Sequence, residues 1–518
     1  MMISAGDPVL EDIRYILRES DMSFLSFTPP LSRDEVLQFL ETLDPAALSP
    51  PAREAYNRIE KKLNPGFRFS EGLFSLNAHI TAALGGRART NRDIPWGQNL
   101  KDNPGFFSLP IEFFFADSFE LNFEPVLTSD PAFYETGDFF WTSLPYEAKR
   151  FDMNMPLRAF GAAGGSWWNF QLGRDRISFG AAFTGNLALS DTPDYYDFAR
   201  LSVFSPNFKY SVLATQLPLI LSSSLADPET YDAGDTTSTV NRYMYLHRLD
   251  FRLFEKLSLG ITEAVMVGNA PFELRYLNPL AVFHSFFSWR DYPIWGKKDG
   301  DLTGSLFSLD IEWAIASSLH WYGQLVMNEF STPYEKKRWP DSQPPNGLGY
   351  LCGLEYARPL NAWGAAFYGE FVYTDPFLYV LSSPFASFIW MRRLSDIGSK
   401  GLRYSWTGHP QGRDALLFTL GSLFFKGNLS YSADLSFTRR GEHSLYWDWG
   451  AGPSFYDQHT PTGIAENQLS AAFQAKWKAL PFLTLRAYLS GSMIFNSKHI
   501  EKKRAYGLDT AFYVILTY

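Results

Sequence analysis

Aromatic side chains beside carboxylates are the residues of this sequence whose types and spacing suggest a chemistry. One cluster holds Tyr446, Trp447, Asp448, Trp449, Tyr456 and His459, and a second holds Trp289, Tyr292 and Trp295. The C–H faces of pyranose rings pack on aromatic rings while sugar hydroxyls need polar partners, so such residues can bind a glycan. The same rings can instead extend strands into the aromatic girdle of a membrane protein. Both interpretations stay open, and the candidate glycan contacts are Tyr446, Trp447, Trp449, Tyr456 and Trp295.

The motifs of common catalytic and metal sites are missing from the sequence. It has no HExxH, Walker, GxGxxG or GxSxG motif, and no two of its 8 histidines lie at metal-ligand spacing. Its single cysteine, Cys352, excludes an intrachain disulfide and a zinc knot. We therefore predict a protein that is not an enzyme, with no catalytic residue, no metal and no cofactor. A hydrolase with two of the 55 acidic residues at glycosidase distance is a less favoured alternative.

The charge distribution limits the partners. The net charge of −9 argues against binding to nucleic acid. Two lysine-rich runs, at 335–339 and 501–504, can contact acidic glycans or the phosphates of a lipopolysaccharide-like glycolipid. Runs of this kind are more often ordinary solvated loops.

The composition favours strands that face lipid on one side and water on the other. Aromatic residues make up 17% of the chain and charged residues only 19%, below the roughly 25% of soluble domains. The mean hydropathy is nevertheless only −0.17, as alternation of apolar and polar residues produces. No run of about 20 apolar residues is present, which disfavours a bundle of membrane helices.

The C-terminal segment shows this alternation most clearly. One face of residues 506–518 carries a nearly continuous set of apolar and aromatic side chains, whereas the other face includes Asp509. Side chains of a strand alternate between its two faces. A strand of this kind that stops on an aromatic residue, here Tyr518, is typical of the closing strand of an outer-membrane barrel. The apolar face comprises Leu508, Phe512, Val514, Leu516 and Tyr518, interrupted by Thr510.

Counting strands backwards from this end tests the barrel hypothesis within the sequence. If residues 506–518 descend to the periplasm, polar segments at 496–504, 439–466 and 392–413 become outer loops. The connections at 478–481 and 426–428 become inner turns. Every inner connection is then short and every outer one long, which is the asymmetry of outer-membrane barrels.

Residues 1–65 differ from the rest, because their apolar residues recur at helical spacing. A capping box at Ser32 to Glu35 and the Ser49-Pro50-Pro51 sequence mark two helix starts, and Asp7-Pro8 marks a third. We predict a small periplasmic helical domain at 1–65 and a barrel at 66–518. The fold class is mainly β, with a single transmembrane antiparallel barrel of about 16–18 strands. The first six residues lack the features of a secretory signal, so we expect a processed chain.

Two stretches resemble the capsule-assembly Wzi family. Leu172-Gly-Arg-Asp-Arg-Ile-Ser-Phe-Gly180 and Thr184-Gly-Asn-Leu-Ala-Leu-Ser-Asp191 resemble its "GR-x-R-x-W-G … G-x-L-x-x-S" segment, with Phe179 in place of tryptophan and Ala181 in place of a common proline. His247-Arg-Leu-Asp250, Gly260-Ile-Thr-Glu263 and Tyr276-Leu-Asn-Pro279 resemble the part that follows, and Gly408-His-Pro-Gln-Gly-Arg-Asp414 resembles a late loop. The matched polar positions are Arg174, Asp175, Glu263 and Asn278.

The resemblance implies an outer-membrane barrel of about eighteen strands with periplasmic helices at its base, whose members bind surface polysaccharide and retain a capsule. We expect the chain to act as a monomer in contact with outer-membrane lipid. From the residues alone, Gly173 and Gly180 bracket a strand in which Arg174 and Asp175 can form a salt bridge in the lumen. A porin or exporter of the same architecture remains an alternative function.

Overall fold

The computed structural model describes most of the chain. The residues outside the description are 65–68, 117, 130–137, 146–149, 153–157, 222–237, 281–282, 284–302, 342, 382–383, 394–401, 444–452 and 457. Among the described residues, no helix is both long enough and apolar enough to cross a membrane.

The chain begins with three helices, as the apolar spacing predicts. These are α1 (Val9–Glu19), α2 (Arg33–Leu40) and α3 (Pro50–Leu63), with a short pair of strands, β1 (Met2–Ile3) and β2 (Leu31–Ser32). The capping box is present, since Ser32 and Glu35 exchange side-chain and backbone hydrogen bonds at the start of α2. The helices share a buried core that includes Ile13, Ile16, Val36, Ala55 and Ile59.

The rest of the described chain is mainly antiparallel strands. The first group is β3 (Phe69–Glu71), β4 (Phe74–Ala78), β5 (Thr81–Arg89), β6 (Phe107–Ser108), β7 (Ile111–Phe115), β8 (Phe119–Glu124), β9 (Val126–Leu127), β10 (Phe140–Thr142), β11 (Arg158–Gly165), β12 (Trp168–Asp175), β13 (Tyr196–Ser205), β14 (Phe208–Gln216), β15 (Leu219–Leu221), β16 (Ser238–Val240), β17 (Arg242–Leu253) and β18 (Leu257–Gly268).

The second group is β19 (Thr303–Ala316), β20 (Leu319–Glu329), β21 (Gly347–Leu360), β22 (Trp363–Thr374), β23 (Ile389–Arg393), β24 (Leu402–Trp406), β25 (Ala415–Lys426), β26 (Leu429–Arg440), β27 (Glu466–Leu480), β28 (Leu483–Phe495) and β29 (Arg504–Thr517). Two further short helices lie in loops, α4 (Pro333–Arg338) and α5 (Pro453–Tyr456).

The hydrogen-bonded strand pairs return to their starting point and so form a barrel. The last strand, β29, pairs with β5 from Thr517↔Thr81 to Asp509↔Arg89. β5 pairs with β6, β6 with β9, and β8, which leads into β9, pairs with β11. With β4–β5, β6–β7 and β8–β9 each taken as one bent strand, the described ring has eighteen strands, at the upper end of the expected range.

Connections at the two ends of the barrel differ in length, as the backward count predicts. One end has turns of two or three residues at 166–167, 206–207, 254–256, 317–318, 361–362, 427–428 and 481–482. The other end carries the long connections at 176–195, 217–241, 269–302, 330–346, 375–414, 441–465 and 496–503. In outer-membrane barrels the short turns lie in the periplasm and the long loops outside the cell.

The outward side chains form an apolar belt. In β29, Leu508, Phe512 and Leu516 are 50%, 54% and 46% exposed, whereas Asp509 and Tyr513 point inward and are buried. The alternation read from the C-terminal sequence is therefore confirmed, with the apolar side chains on the outer face.

The three helices lie at the short-turn end. Four short turns of the barrel are hydrogen-bonded to residues 1–64. Gln38 of α2 donates to the Ser166 carbonyl at 2.6 Å, and the Gly427 amide donates to Glu54 of α3 at 2.9 Å. In the connection after α1, the Ser23 amide donates to the Glu255 carbonyl at 2.9 Å, and Asp21 accepts from the Ser318 amide at 2.6 Å. The helical segment therefore covers the short-turn end of the lumen.

Acid should loosen these helices through Glu35. Burial alone would raise the pKa of Glu35, but Lys209, Arg200 and the hydrogen bonds from Lys209 and the Ser32 amide lower it below the ordinary 4.5. A carboxyl group with a lowered pKa stabilises the folded state above its unfolded pKa and loses this contribution as the pH falls. We expect the protection factors of the α2 amides, which compare the exchange rate with the intrinsic rate at the same pH, to fall below about pH 4.5. A Glu35→Gln variant should have low protection factors already at pH 7, and wild-type protection factors that do not change between pH 7 and pH 3 would contradict this expectation.

Candidate functional site

Two long loops fold back into the outer half of the barrel. Loop 176–195 and the described part of loop 375–414, which includes β23 and β24, bury apolar side chains against the inner wall. We call these two loops the plug. Its fully or almost fully buried residues include Ile177, Phe179, Leu187, Leu189, Phe377, Tyr379, Val380, Phe388, Ile389 and Trp390. The wall side chains around them include Met244, Leu246, Met266, Val326 and Val372.

Polar contacts fix loop 176–195 in this position. Asn186 bonds Ser178 and the Gly180 carbonyl, and it accepts a hydrogen bond from Gln324 of β20 at 2.9 Å. The carboxylate of Glu370 accepts from the amides of Phe183 and Thr184 at 2.9 and 3.0 Å. Gly180 has a φ of +126°, and a Cβ there would overlap the Gln324 side chain.

The late segment 408–414 joins the plug to the loop that follows β26. His409 bonds Thr184 at 3.1 Å, so the two loops of the plug touch directly. Burial lowers the pKa of His409 to about 3, which keeps the imidazole neutral. The Asp414 carboxylate accepts from the amides of Thr462 and His443 at 3.1 and 3.2 Å, and it therefore holds both ends of loop 441–465.

A cavity of about 590 Å³ lies in loop 441–465 at the outer end of the barrel. Its polar lining groups are carboxylate, imidazole, amide and hydroxyl, which together offer both hydrogen-bond donors and acceptors. His443 bonds Gln458 at 2.7 Å, and the Glu442 carboxylate accepts from the Ile464 amide at 2.8 Å. His459 is exposed at the edge. The lining residues are Glu442, His443, Gln458, His459, Pro461, Thr462 and Gly463.

Comparison with known proteins agrees with this architecture. The family model of the capsule assembly protein Wzi matches residues 82–504, from β5 to the first residue of β29. The chain belongs to the Wzi capsule assembly family. It is an outer-membrane β-barrel, and the expectation drawn from its motifs is confirmed.

Among solved structures, the chain is similar to Wzi of Escherichia coli, described as an outer membrane protein involved in group 1 capsule assembly and a carbohydrate-binding β-barrel. The two are 14% identical, with a TM-score of 0.62, over 99% of this chain and 98% of that one. OccD3 of Pseudomonas aeruginosa is 8% identical over 88% and 92% of the two chains, with a TM-score of only 0.43. No match was found among curated protein sequences.

The aromatic candidates from the sequence fall mostly outside the described residues. Tyr446, Trp447 and Trp449 lie in 444–452, and Trp295 lies in 284–302. The backbone of Tyr456 belongs to α5, whereas its side chain lies outside the description. Their role in glycan binding therefore stays a prediction. The described part of the same loop provides polar groups of the cavity that the aromatic pattern did not indicate, chiefly His443, Gln458 and Thr462.

The predicted salt bridge between Arg174 and Asp175 is not formed, so that prediction is wrong. Consecutive residues of a strand point to opposite faces, and the two side chains have different partners. Arg174 bonds Asp197 of β13 at 2.8 and 2.9 Å and lies over the ring of Tyr195. Asp175 is buried and accepts hydrogen bonds from Arg158 and from Ser4 of the N-terminal segment.

Glu263 and Asn278 lie outside the lumen. Glu263 belongs to the outward set of β18 and accepts a hydrogen bond from the Phe283 amide at 2.9 Å. Asn278 is exposed in the loop after β18, where its side chain accepts from the Leu280 amide at 3.1 Å. Within the described part of the chain, no group of three His, Cys, Asp or Glu residues is arranged to hold a metal ion.

Proposed function

We propose that this barrel binds surface polysaccharide through loop 441–465 and acts in capsule assembly without being an enzyme. The observation that carries the proposal is the 590 Å³ cavity at the outer end, in the same loop as the aromatic cluster of the sequence. The family relationship supports it, because the E. coli member is described as carbohydrate-binding.

The lining chemistry suits sugar hydroxyls. Each hydroxyl can donate one hydrogen bond and accept others, so a site with mixed donors and acceptors is required. The His443–Gln458 pair and the Thr462 hydroxyl lie on a rigid base, since Asp414 fixes both ends of the loop. Hydrolysis of a glycosidic bond ordinarily uses two facing carboxyl groups. The described lining holds one carboxylate, that of Glu442, which favours binding over catalysis.

The remaining parts of the proposal concern surroundings and organisation. The apolar belt contacts outer-membrane lipid, and the basic residues of the outer loops meet lipopolysaccharide-like phosphates. The chain acts as a monomer, with a periplasmic helical domain at 1–65 and a barrel at 66–518. The contacts of α1–α3 with four periplasmic turns support this arrangement.

Polar substitutions in the cavity should weaken glycan binding. In His443→Ala and Gln458→Ala variants we expect the affinity for the capsular or exopolysaccharide of the source bacterium to fall roughly 10-fold each, as the loss of one or two hydrogen bonds implies. Titration calorimetry in detergent measures the effect. A Gln343→Ala variant removes an amide from the separate outer loop 330–346 and should bind like the wild type. An equal loss in this control, or an intact protein that binds no polysaccharide, would contradict the proposal.

One observation favours a second function, that of a channel. The inward side chains of β17–β22 are mostly buried, whereas those of β26–β28 are partly exposed within the lumen. We call this inner face the polar lane; it includes Ser432, Asp434, Ser436, Ser470, Gln474 and Arg486.

The polar lane leads into a cavity of about 610 Å³ at the periplasmic end, lined by Ser430, Lys476 and residues of α1 and α3. At its outer end Thr438 and Ile494 are only 8% and 1% exposed, so the lane narrows there. Conductance in planar bilayers separates the two functions.

A further inference from the structure

Several outward side chains of β17 and β18 are buried, although the wall around them faces lipid. Alternation directs Met244 and Leu246 into the plug, so Tyr245 and His247 point outward. Their exposed fractions are nevertheless only 1% and 6%, and that of Val265 on β18 is 0%. Something other than lipid must therefore cover this part of the outer surface.

The cover is the first part of the loop after β18. We call the described residues 269–280 and Phe283 the strap. Its contacts with the wall are polar as well as aromatic. Tyr210 donates to the Pro279 carbonyl at 2.8 Å, and a ring nitrogen of His247 lies 3.0 Å from the Tyr276 carbonyl oxygen. The rings of Tyr245 and Tyr276 stack at 4.9 Å.

Two ionisable groups lie beneath the strap. His247 and Glu263 are direct partners across the β17–β18 pair. Glu263 accepts a hydrogen bond from the Phe283 amide at 2.9 Å, and the Phe283 ring lies 4.4 Å from the His247 ring. Ionisable side chains in contact with acyl chains are costly, so the strap removes an unfavourable patch from the wall.

The strand register places this patch at the level of the lipid. The row of directly paired residues runs from Leu201 through Val212, His247 and Glu263 to Phe307. Leu201 is 45% exposed and belongs to the apolar belt. His247 is five residues from the start of β17 at Arg242, which at 3.3 Å per residue is about 16 Å along the tilted strand from its outer end. The strap therefore descends along the outer wall rather than projecting into the medium.

The outer side of the strap carries large apolar side chains beside the exposed Asn278 and the Glu273–Arg275 ion pair. Phe272, Leu274 and Leu280 are 45%, 75% and 89% exposed. Exposed leucines on a loop are unfavourable in water but favourable in contact with acyl chains. Since the belt continues on both sides of the strap, the same lipid that surrounds the belt is the fitting partner.

We propose that the strap is a membrane-inserted segment, whose Leu274 and Leu280 contact the acyl chains of the outer leaflet while its inner side seals His247 and Glu263. This gives His247, Glu263 and Tyr276, one residue from each of three recognised motifs, a shared place on the outer wall rather than in a glycan site. The proposal depends on the barrel and its membrane, and not on the polysaccharide.

Site-directed labelling in proteoliposomes tests the insertion. Three variants, Leu280→Cys, Leu309→Cys and His459→Cys, are each made in a Cys352→Ala background. The single cysteine of each variant carries a nitroxide probe. Position 309 belongs to the belt and position 459 to the exposed rim of the outer cavity. We expect the probe at position 280 to collide with oxygen and to be shielded from a water-soluble nickel chelate. Its ratio of oxygen accessibility to chelate accessibility should match that of position 309.

Each other outcome overturns the proposal. A ratio at position 280 like that of position 459 would place the strap in water, and shielding from both reagents would indicate a protein partner. A Glu263→Ala variant in the same background provides a second measurement. It should raise the accessibility of position 280 to the chelate, while heat-modifiable migration shows that the barrel itself is still folded.

Discussion

Replacing Arg18 by methionine should detach the N-terminal helices from the barrel. Arg18 of α1 is fully buried, and its guanidinium bonds Glu312 of β19 at 2.5 Å and Glu355 of β21 at 2.7 Å, on the two strands that flank β20. Burial alone would lower the pKa of Arg18, but the two carboxylates raise it above its usual range, so the group is charged at every accessible pH. Arg14 still pairs with Glu355 at 2.8 Å, but Glu312 loses its buried cation, and removal of one member of such a cluster costs about 3–5 kcal/mol.

Hydrogen exchange and limited proteolysis of residues 1–64 measure this effect. An Arg58→Met variant is the matched control, because its partner Asp12 lies on α1 and its own side chain is 39% exposed. A pair of this kind should contribute less than about 1 kcal/mol. If the helices are equally protected from exchange and proteolysis in both variants, the buried cluster is not what joins the helices to the barrel.

The strand architecture could be predicted because lipid imposes a simple rule on the sequence. In β29 the apolar residues occupy one face over the whole strand, and the structure has Leu508, Phe512 and Leu516 outside and Asp509 inside. The inner turns expected at 426–428 and 478–481 are two-residue turns at 427–428 and 481–482. A period of two and the difference between short and long connections both depend on local sequence, so no knowledge of distant contacts was needed.

The plug could not be predicted, because its fold depends on distant contacts. Phe377 to Val380 and Ile389 to Met391 are apolar runs within a long loop, and sequence alone does not say whether such runs face lipid or the lumen. The wall around the plug is apolar on both faces, as in 264–267 of β18, so the alternation that identifies other strands disappears there.

The site residues show the same limit. Arg174 and Asp175 are adjacent in the sequence, which suggests a salt bridge between them in the lumen. Neighbouring residues of a strand point to opposite faces, however, and the two side chains pair with Asp197 and Arg158 instead. The cavity groups His443, Gln458 and Thr462 are separated by up to nineteen positions and converge only because Asp414 binds both ends of their loop. The motif at 408–414 was the available signal, and it is a positioning element rather than a contact surface.

Deleting the larger of the two plug loops, 375–414, should turn a closed barrel into a conducting one. Thr374 of β22 and Ala415 of β25 are directly paired, so residues 376–413 can be replaced by Asn-Gly without changing the barrel register. The deletion removes the apolar side chains that this loop places in the outer lumen, while loop 176–195 stays. It also removes Gln411, which binds Arg440 at the outer end of the polar lane. Water and ions then have a route from the outside along the lane to the 610 Å³ periplasmic cavity.

Planar-bilayer recordings should show no steps for the intact protein and stable ionic steps for the deletion variant. Replacing loop residues 332–345 by the same turn is the matched control, since Ser331 and Asn346 already bond each other and α4 has no buried residue. This control should stay silent.

Adding Ser432→Trp and Ser470→Trp to the deletion should suppress the steps, because both side chains point into the lane. Steps from the intact protein would favour the channel function, whereas a silent deletion variant would show that the lane is not continuous. The plug is therefore the element on which the choice between a binding protein and a channel depends: the same eighteen-strand wall serves either, according to whether two loops fill it.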